Sequence, residues 1–193
     1  FEFFVGSLND LLRSAGLEVE RICRAAELRF CFIGGLAVQR WGQPRMTADV
    51  DLTVITGFGD EEPYVDALLA ALRGRIPDAR AFALRHRTIL AVASNGVHAD
   101  ISLGAMPFEE RAVERASAFA IGEGQSMTTC SAEDLIVHKA FAARDKDWLD
   151  IRGIVDRQGA SLDRDQIWYE LAPLLELRDD SRIERRLKAL FAD

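Results

Sequence analysis

Two aspartates one residue apart, Asp49 and Asp51, stand inside the apolar run ADVDLTVI. On a strand, residues two apart point to the same face, roughly 6.5 to 7 Å apart along the chain. Two carboxylates so placed repel one another unless each is solvated or a cation lies between them. A third carboxylate, Asp100, stands in another β-prone run, VHADISL, again between apolar residues. If that run pairs beside residues 48–55, the three acids converge. Oxygen-only, carboxylate-rich sites suit Mg²⁺ or Mn²⁺. Three acids can hold two such ions roughly 3.5 to 4 Å apart, the arrangement used for in-line phosphoryl displacement. Asp49, Asp51 and Asp100 are therefore the candidate metal-ligating and catalytic residues.

Upstream, RFCFI ends at Gly34-Gly35, and a short helix over 36–41 follows. Glycines lack a Cβ, so backbone N–H groups at 34 and 35 can come close to a polyphosphate. The N-terminus of the following helix faces the same anion favourably. Strand, Gly-Gly, helix, Asp-x-Asp strand and Asp strand together suit a nucleoside triphosphate with its metal ions. Each part alone is less specific. Gly-Gly is commonly a turn, and Asp-x-Asp also marks exposed strand faces and metal-dependent glycosyltransferases that hold nucleotide sugars. The preceding Gly-Gly and the later Asp100 favour nucleotidyl transfer. His98 shares the face of Asp100 and reads as a neighbour rather than a ligand.

The elements that must position these residues follow from hydrophobic periodicity. Helices are expected near 5–14, 17–28 and 63–73, and strands at 29–33 and 48–55. The runs 87–93 and 97–103 flank Ser94-Asn95-Gly96, and Asn-Gly between β-rich runs is a strong hairpin signal. The character changes after about residue 107. Ser131 with Asp134 forms a helix N-cap pattern. Helical patterns then cover 132–144, 146–157, 165–177 and 181–191. A small α/β unit precedes a helical segment, with domains expected at 1–128 and 129–193.

With 193 residues, 49% of them hydrophobic, the chain can bury a real core. A net charge of −7 argues against coating nucleic acid by bulk electrostatics but permits a local basic groove. The three cysteines, Cys23, Cys31 and Cys130, form no CxxC or Cys/His spacing and read as reduced thiols of a cytoplasmic protein. No apolar run nears the roughly 20 residues of a membrane helix, so no membrane partner is expected. Glu2 and Asp10 interrupt the apolar start, and no basic leader precedes it, which argues against a signal peptide. The missing initiator Met implies residues trimmed upstream. The charged run DDSRIERRLK reads as a solvated helix with internal ion pairs.

Gly34-Gly35, Asp49-x-Asp51 and Asp100 resemble the polymerase-β-like nucleotidyltransferase superfamily. The fuller string GGLAVQRWGQPRMTADVDL, with SAEDLIVHKAFAARDKDWLDI, is similar to one branch, the AbiEii/AbiGii-type nucleotidyltransferases, whose members include toxins of toxin–antitoxin and abortive-infection systems. The resemblance spans roughly residues 29–157. It implies an α+β nucleotidyltransferase fold, a small mixed sheet flanked by helices, followed by a C-terminal helical segment. Asp49, Asp51 and Asp100 would bind the metals, Asp100 also helping to activate the acceptor hydroxyl. Gly34 and Gly35 would cradle phosphates, and Arg45 and Thr47 would brace the loop before the metal strand or contact phosphate. Lys139 would reach the triphosphate, and Asp147 would orient it or another active-site group. Many superfamily members carry Gly-Ser where this chain has Gly-Gly, which removes a hydroxyl that could bind phosphate.

The implied reaction moves a nucleoside monophosphate from a triphosphate to a hydroxyl and releases pyrophosphate. The acceptor is expected to be tRNA, as for a toxin with a cognate antitoxin. A small molecule such as an aminoglycoside or lincosamide antibiotic is the alternative. A third reading is a nucleotide-binding module that has lost turnover and acts on a partner protein.

Overall fold

Alternation over 48–55 does what its period of two dictates: Val50, Leu52 and Val54 turn into the core, while Asp49 and Asp51 turn to the opposite face. The computed structural model describes residues 2–178 and 180–192. In chain order the elements are α1 (Glu2–Ala25), β1 (Phe30–Phe32), α2 (Gly34–Trp41), β2 (Asp49–Ile55), α3 (Glu61–Ala71) and β3 (Arg73–Gly74). Then come α4 (Ala79–His86), β4 (Thr88–Val92), β5 (His98–Gly104), α5 (Pro107–Glu114), β6 (Ser117–Gly122) and β7 (Gln125–Thr129). The α-helices α6 (Ala132–Ala142), α7 (Asp145–Gln158), α8 (Arg164–Glu176) and α9 (Ser181–Ala192) follow, with a 3-10 turn at Gly159–Ser161 between α7 and α8. This is the expected α+β arrangement, a mixed sheet flanked by helices with a helical segment after it.

Two compact units divide the chain, Phe1–Leu36 with Met46–Cys130, and Ala37–Arg45 with Ser131–Asp193. Phe1, Asp179 and Asp193, which the expected domains and the charged run include, lie outside the described residues. The first unit holds a seven-stranded sheet in the order β3-β4-β5-β2-β1-β7-β6. Strands β2 and β5 are parallel, β1 and β7 are parallel, and the other neighbours are antiparallel. Leu52, Val54, Ile89 and Ile101 on the sheet pack with Leu12 and Val19 of α1 and Val65 and Leu68 of α3. Burying one such side chain contributes roughly 1.5 to 3 kcal/mol. A slip of one residue in β2 or β5 would put carboxylates into this core, so the apolar face fixes the register of the acidic one.

Ser94-Asn95-Gly96 does turn the β4–β5 hairpin, with Gly96 at φ 89° and the Ala93 N–H donating to the Val97 carbonyl at 2.8 Å. The helices expected near 5–14 and 17–28 are instead one helix, α1. Gly16 at the expected break has another use: a Cβ there would lie 2.7 Å from Cε of Met127, so the glycine lets β7 pack against α1. Elements α4, α5, β3, β6 and β7 were not foreseen.

The second unit contains Ala37–Arg45, a segment that the expected division put in the first domain. Its backbone is bound to α7: Arg157 Nη1 donates to the Gly42 carbonyl at 2.7 Å, and Gln158 Nε2 donates to the Trp41 carbonyl at 2.7 Å. Gly153 of α7 makes the approach possible, because a Cβ there would lie 3.2 Å from the Gln43 nitrogen. Ser131 caps α6 as expected, accepting the Asp134 N–H at 3.1 Å. Among the described residues, no helix is long and apolar enough to cross a membrane.

Candidate active site

The parallel pairing of β2 and β5 sets Asp51 directly beside Asp100, and Asp49 beside His98. Neighbouring strands lie about 4.8 Å apart, and paired residues share a face. Asp49, Asp51 and Asp100 thus occupy one face of two adjacent strands, opposite the fully buried Val50, Leu52, Ala99 and Ile101. All three are partly accessible. His98 Nδ1 stands 3.5 Å from Asp49 Oδ1, too far for a good hydrogen bond. Arg75 Nη2 stands 2.9 Å from Asp100 Oδ1, yet that oxygen is buried and takes no hydrogen bond, so the guanidinium lies off the bonding direction.

Among the described residues, no three His, Cys, Asp or Glu side chains close around one point. The pairing gives these acids a common face but not a ready-made cage. The donor chemistry nevertheless fits a hard divalent ion: carboxylate oxygens only, one of them buried without a hydrogen bond. Of the described residues, Asp49, Asp51 and Asp100 are those that would hold it.

Each of the two glycines makes room for a particular side chain. Gly34 has φ +58°, and a Cβ there would lie 2.6 Å from Cγ of Asp51. The glycine therefore lets the Asp51 carboxylate press against the turn that begins α2. A Cβ at Gly35 would lie 2.6 Å from Cβ of Thr47, so a serine in this position would collide with Thr47. The Thr47 hydroxyl donates only weakly, to the Asp49 carbonyl at 3.5 Å. Gly-Gly in this chain is thus matched to Asp51 and Thr47, and Thr47 sets its hydroxyl where Gly35 lacks one.

Arg45, Lys139 and Asp147 meet in a second constellation, within the helical unit. Lys139 of α6 is 6% exposed, and its ammonium donates to Asp150 Oδ2 at 2.6 Å and to Asp147 Oδ1 at 3.4 Å. Asp150 accepts a fork from Arg45, Nε to Oδ1 at 2.7 Å and Nη2 to Oδ2 at 2.8 Å. Asp147 accepts Arg144 Nε at 2.6 Å and Nη2 at 3.1 Å. Asp147 also caps α7 by accepting the Arg144 backbone N–H at 3.2 Å. Ala143, in the left-handed region at φ 56°, turns the chain between α6 and α7 so that the two helices can share these pairs. The i, i+3 spacing of Asp147 and Asp150 puts both carboxylates on one side of α7.

Burial would raise both carboxyls. For Asp147, the Arg144 hydrogen bond and the charges of Lys139 and Arg144 outweigh it and hold the pKa below the usual carboxylate value. For Asp150, burial is outweighed by the hydrogen bonds of Arg45 and Lys139 and by their charges. Both acids are ionised near neutral pH, and the Lys139 ammonium is the cation between them. The i, i+3 spacing of Arg144 and Asp147 in the sequence suits a helix ion pair, which forms here, whereas Asp150 stands in the same motif with no role of its own. Asp150, which bridges Lys139 and Arg45, was readable from its helical spacing to Asp147. Arg75 gave no local signal, because β3 is only two residues long.

The chain is similar to known nucleotidyltransferases. The sequence model of the family described as "Nucleotidyl transferase AbiEii toxin, Type IV TA system" matches residues 19–192. No curated protein matches the chain. Among solved structures, an antigenic nucleotidyltransferase-like protein from Paracoccidioides brasiliensis is similar, with a TM-score of 0.53 and 17% identity over 96% of this chain and 98% of that one. The antibiotic-resistance factor ANT(2'')-Ia in solution gives a TM-score of 0.53 and 16% identity over 89% of this chain and 94% of that one. The same factor in complex with adenylyl-2"-tobramycin gives 0.53 and 17% over 83% of this chain and 95% of that one. At these identities the likeness is one of fold.

Proposed function

This chain belongs to the AbiEii nucleotidyltransferase family, and we propose that it moves a nucleoside monophosphate from a triphosphate to a hydroxyl of tRNA, as the toxin of a toxin–antitoxin pair. The observation that carries the reading is the Asp51–Asp100 register, which gives two carboxylates on adjacent strands a common face, with Asp49 two residues away. Mg²⁺ or Mn²⁺ on these acids would supply charge neutralisation for the triphosphate. Gly34 leaves the room that the Asp51 carboxylate occupies. The backbone at Gly34 and Gly35 and the Thr47 hydroxyl offer donors to phosphate oxygens. Asp100 accepts the proton of the acceptor hydroxyl as that oxygen bonds to the α-phosphorus. The bond between the α- and β-phosphates breaks, and pyrophosphate carries away the electron pair. The protein's part is positioning and charge, as in other phosphoryl transfers.

Within the helical unit, Asp147 and Asp150 hold Lys139, Arg45 and Arg144 in fixed directions. We assign Lys139 and Arg45 to triphosphate binding, Asp147 to the orientation of Lys139, and Asp150 to that of both cations. The three cysteines are buried thiols, which supports a reducing, cytoplasmic setting.

The test is incubation with α-labelled triphosphates, Mg²⁺ and total RNA. Label in tRNA that disappears with Asp51→Asn is the expected result. Label on an aminoglycoside or lincosamide but not on RNA would replace the tRNA acceptor with a small one. Triphosphate binding without pyrophosphate release on any acceptor would contradict the enzyme reading.

A further inference from the structure

Arg75 directly follows the edge strand β3, and its N–H donates to the Leu90 carbonyl at 2.8 Å. Leu90 of β4 is the registered partner of Asp100 on β5. The backbone bond therefore anchors Arg75 level with Asp100, one strand away, and its side chain spans β4 to reach the carboxylate. The guanidinium ends 2.9 Å from Asp100 Oδ1, with the two side chains 23% and 36% exposed. The carboxylate oxygen is nonetheless buried and takes no hydrogen bond. Arg75 thus offers Asp100 a neighbouring charge rather than a directed bond.

We propose that Arg75 is the resident counter-ion of Asp100, which an incoming divalent cation displaces. Arg75 stands against Asp100 Oδ1 on the shared face before loading, and it competes with the metal for that oxygen. A guanidinium held by hydrogen bonds would lock the carboxylate. One held by charge alone yields to a doubly charged ion. Because the edge-strand bond holds only the Arg75 backbone, the side chain can swing away without disturbing the sheet. The inference rests on the reading of Asp49, Asp51 and Asp100 as metal ligands.

The test is calorimetric titration with Mn²⁺, without nucleotide, of wild type, Arg75→Gln, Arg75→Lys and Asp51→Asn, each checked for folding by circular dichroism. Competition by one resident cation predicts about 5- to 10-fold tighter Mn²⁺ binding for Arg75→Gln, a difference of about 1 to 1.4 kcal/mol. Arg75→Lys keeps the charge and is expected to stay near wild type. Wild-type binding that depends on Asp51, with Arg75→Gln binding no more tightly, overturns the inference alone. If no variant shows Mn²⁺ binding that Asp51→Asn removes, the metal reading fails and the inference falls with it. An Arg75→Lys variant that binds as tightly as Arg75→Gln would also overturn it, since charge would then not be the competing quantity.

Discussion

Removing Asp150 tests whether the buried ion-pair chain holds the helical unit together. In Asp150→Ala, Lys139 would keep only Asp147, 3.4 Å away, while its side chain stays 6% exposed. Breaking a buried pair from one side leaves a poorly compensated charge and costs about 3 to 5 kcal/mol. Arg45 contributes little to that cost, because its side chain is 37% exposed and can turn to water. Lys139→Met is milder, since Asp150 keeps its fork from Arg45 and Asp147 keeps Arg144. A cost of about 1 to 3 kcal/mol follows, nearer that of a lost charged hydrogen bond. Replacing both, as Lys139→Met with Asp150→Leu, removes the stranded charge and should recover most of the stability. Urea unfolding followed by circular dichroism measures all three. At this chain length, Asp150→Ala should also lower Tm by roughly 6 to 20 °C. A cost for Asp150→Ala below about 1 kcal/mol would refute the reasoning, as would a double variant no more stable than Asp150→Ala.

The same two acids set a pH dependence. Their folded pKa values lie below the ordinary ones, so their stabilisation is fully present above the unfolded carboxylate value near pH 4 and is lost as pH falls through the folded values. Acid unfolding curves should therefore show a constant difference between wild type and Asp150→Ala above about pH 4 that shrinks as pH falls below it. Thr47 and Gly35 should behave as a coupled pair. Gly35→Ser alone should lower activity at least about 10-fold, and adding Thr47→Ala should restore part of it, as neighbours that share space are non-additive. Equal losses in the single and double variants would show that the collision does not matter. Cys23, whose thiol is pushed up to about 12 by burial and then by the charge of Glu20, should resist thiol reagents in the folded protein and react only on unfolding.

The parts legible in the sequence were those with a strict period or a strong turn. The alternation of β2, the Asn95-Gly96 hairpin and the four C-terminal helices were all readable, because burial on one side imposes the pattern directly. Strands β6 and β7 were not. Most of β6 is exposed, a register shift between Ala120 and Gly122 breaks its alternation, and the turn uses Glu123 and Gly124 at φ 53° and 70° without an Asn-Gly signal. Gly16 misled in the opposite direction, since its cost to helix formation is outweighed by the contact it allows with Met127.

At the candidate site, the three acids were visible because carboxylates interrupt apolar strands, and their common face follows from pairing alone. What pairing could not show is that their side chains do not already converge. Nor could it show that a distant residue, Arg75, stands against one of them. Lys139 was visible as a candidate, but its enclosure by Asp147 and Asp150 depends on how α6 meets α7.

The central claim is that Asp49, Asp51 and Asp100 hold the ions that bind the triphosphate. A crystal grown with Mn²⁺ and a non-hydrolysable triphosphate tests it most directly, by anomalous scattering. The account predicts manganese peaks in contact with Asp51 and Asp100, and phosphates within reach of the Gly34 and Gly35 backbone. Manganese bound away from these carboxylates, or a triphosphate seated far from Gly34, would contradict it.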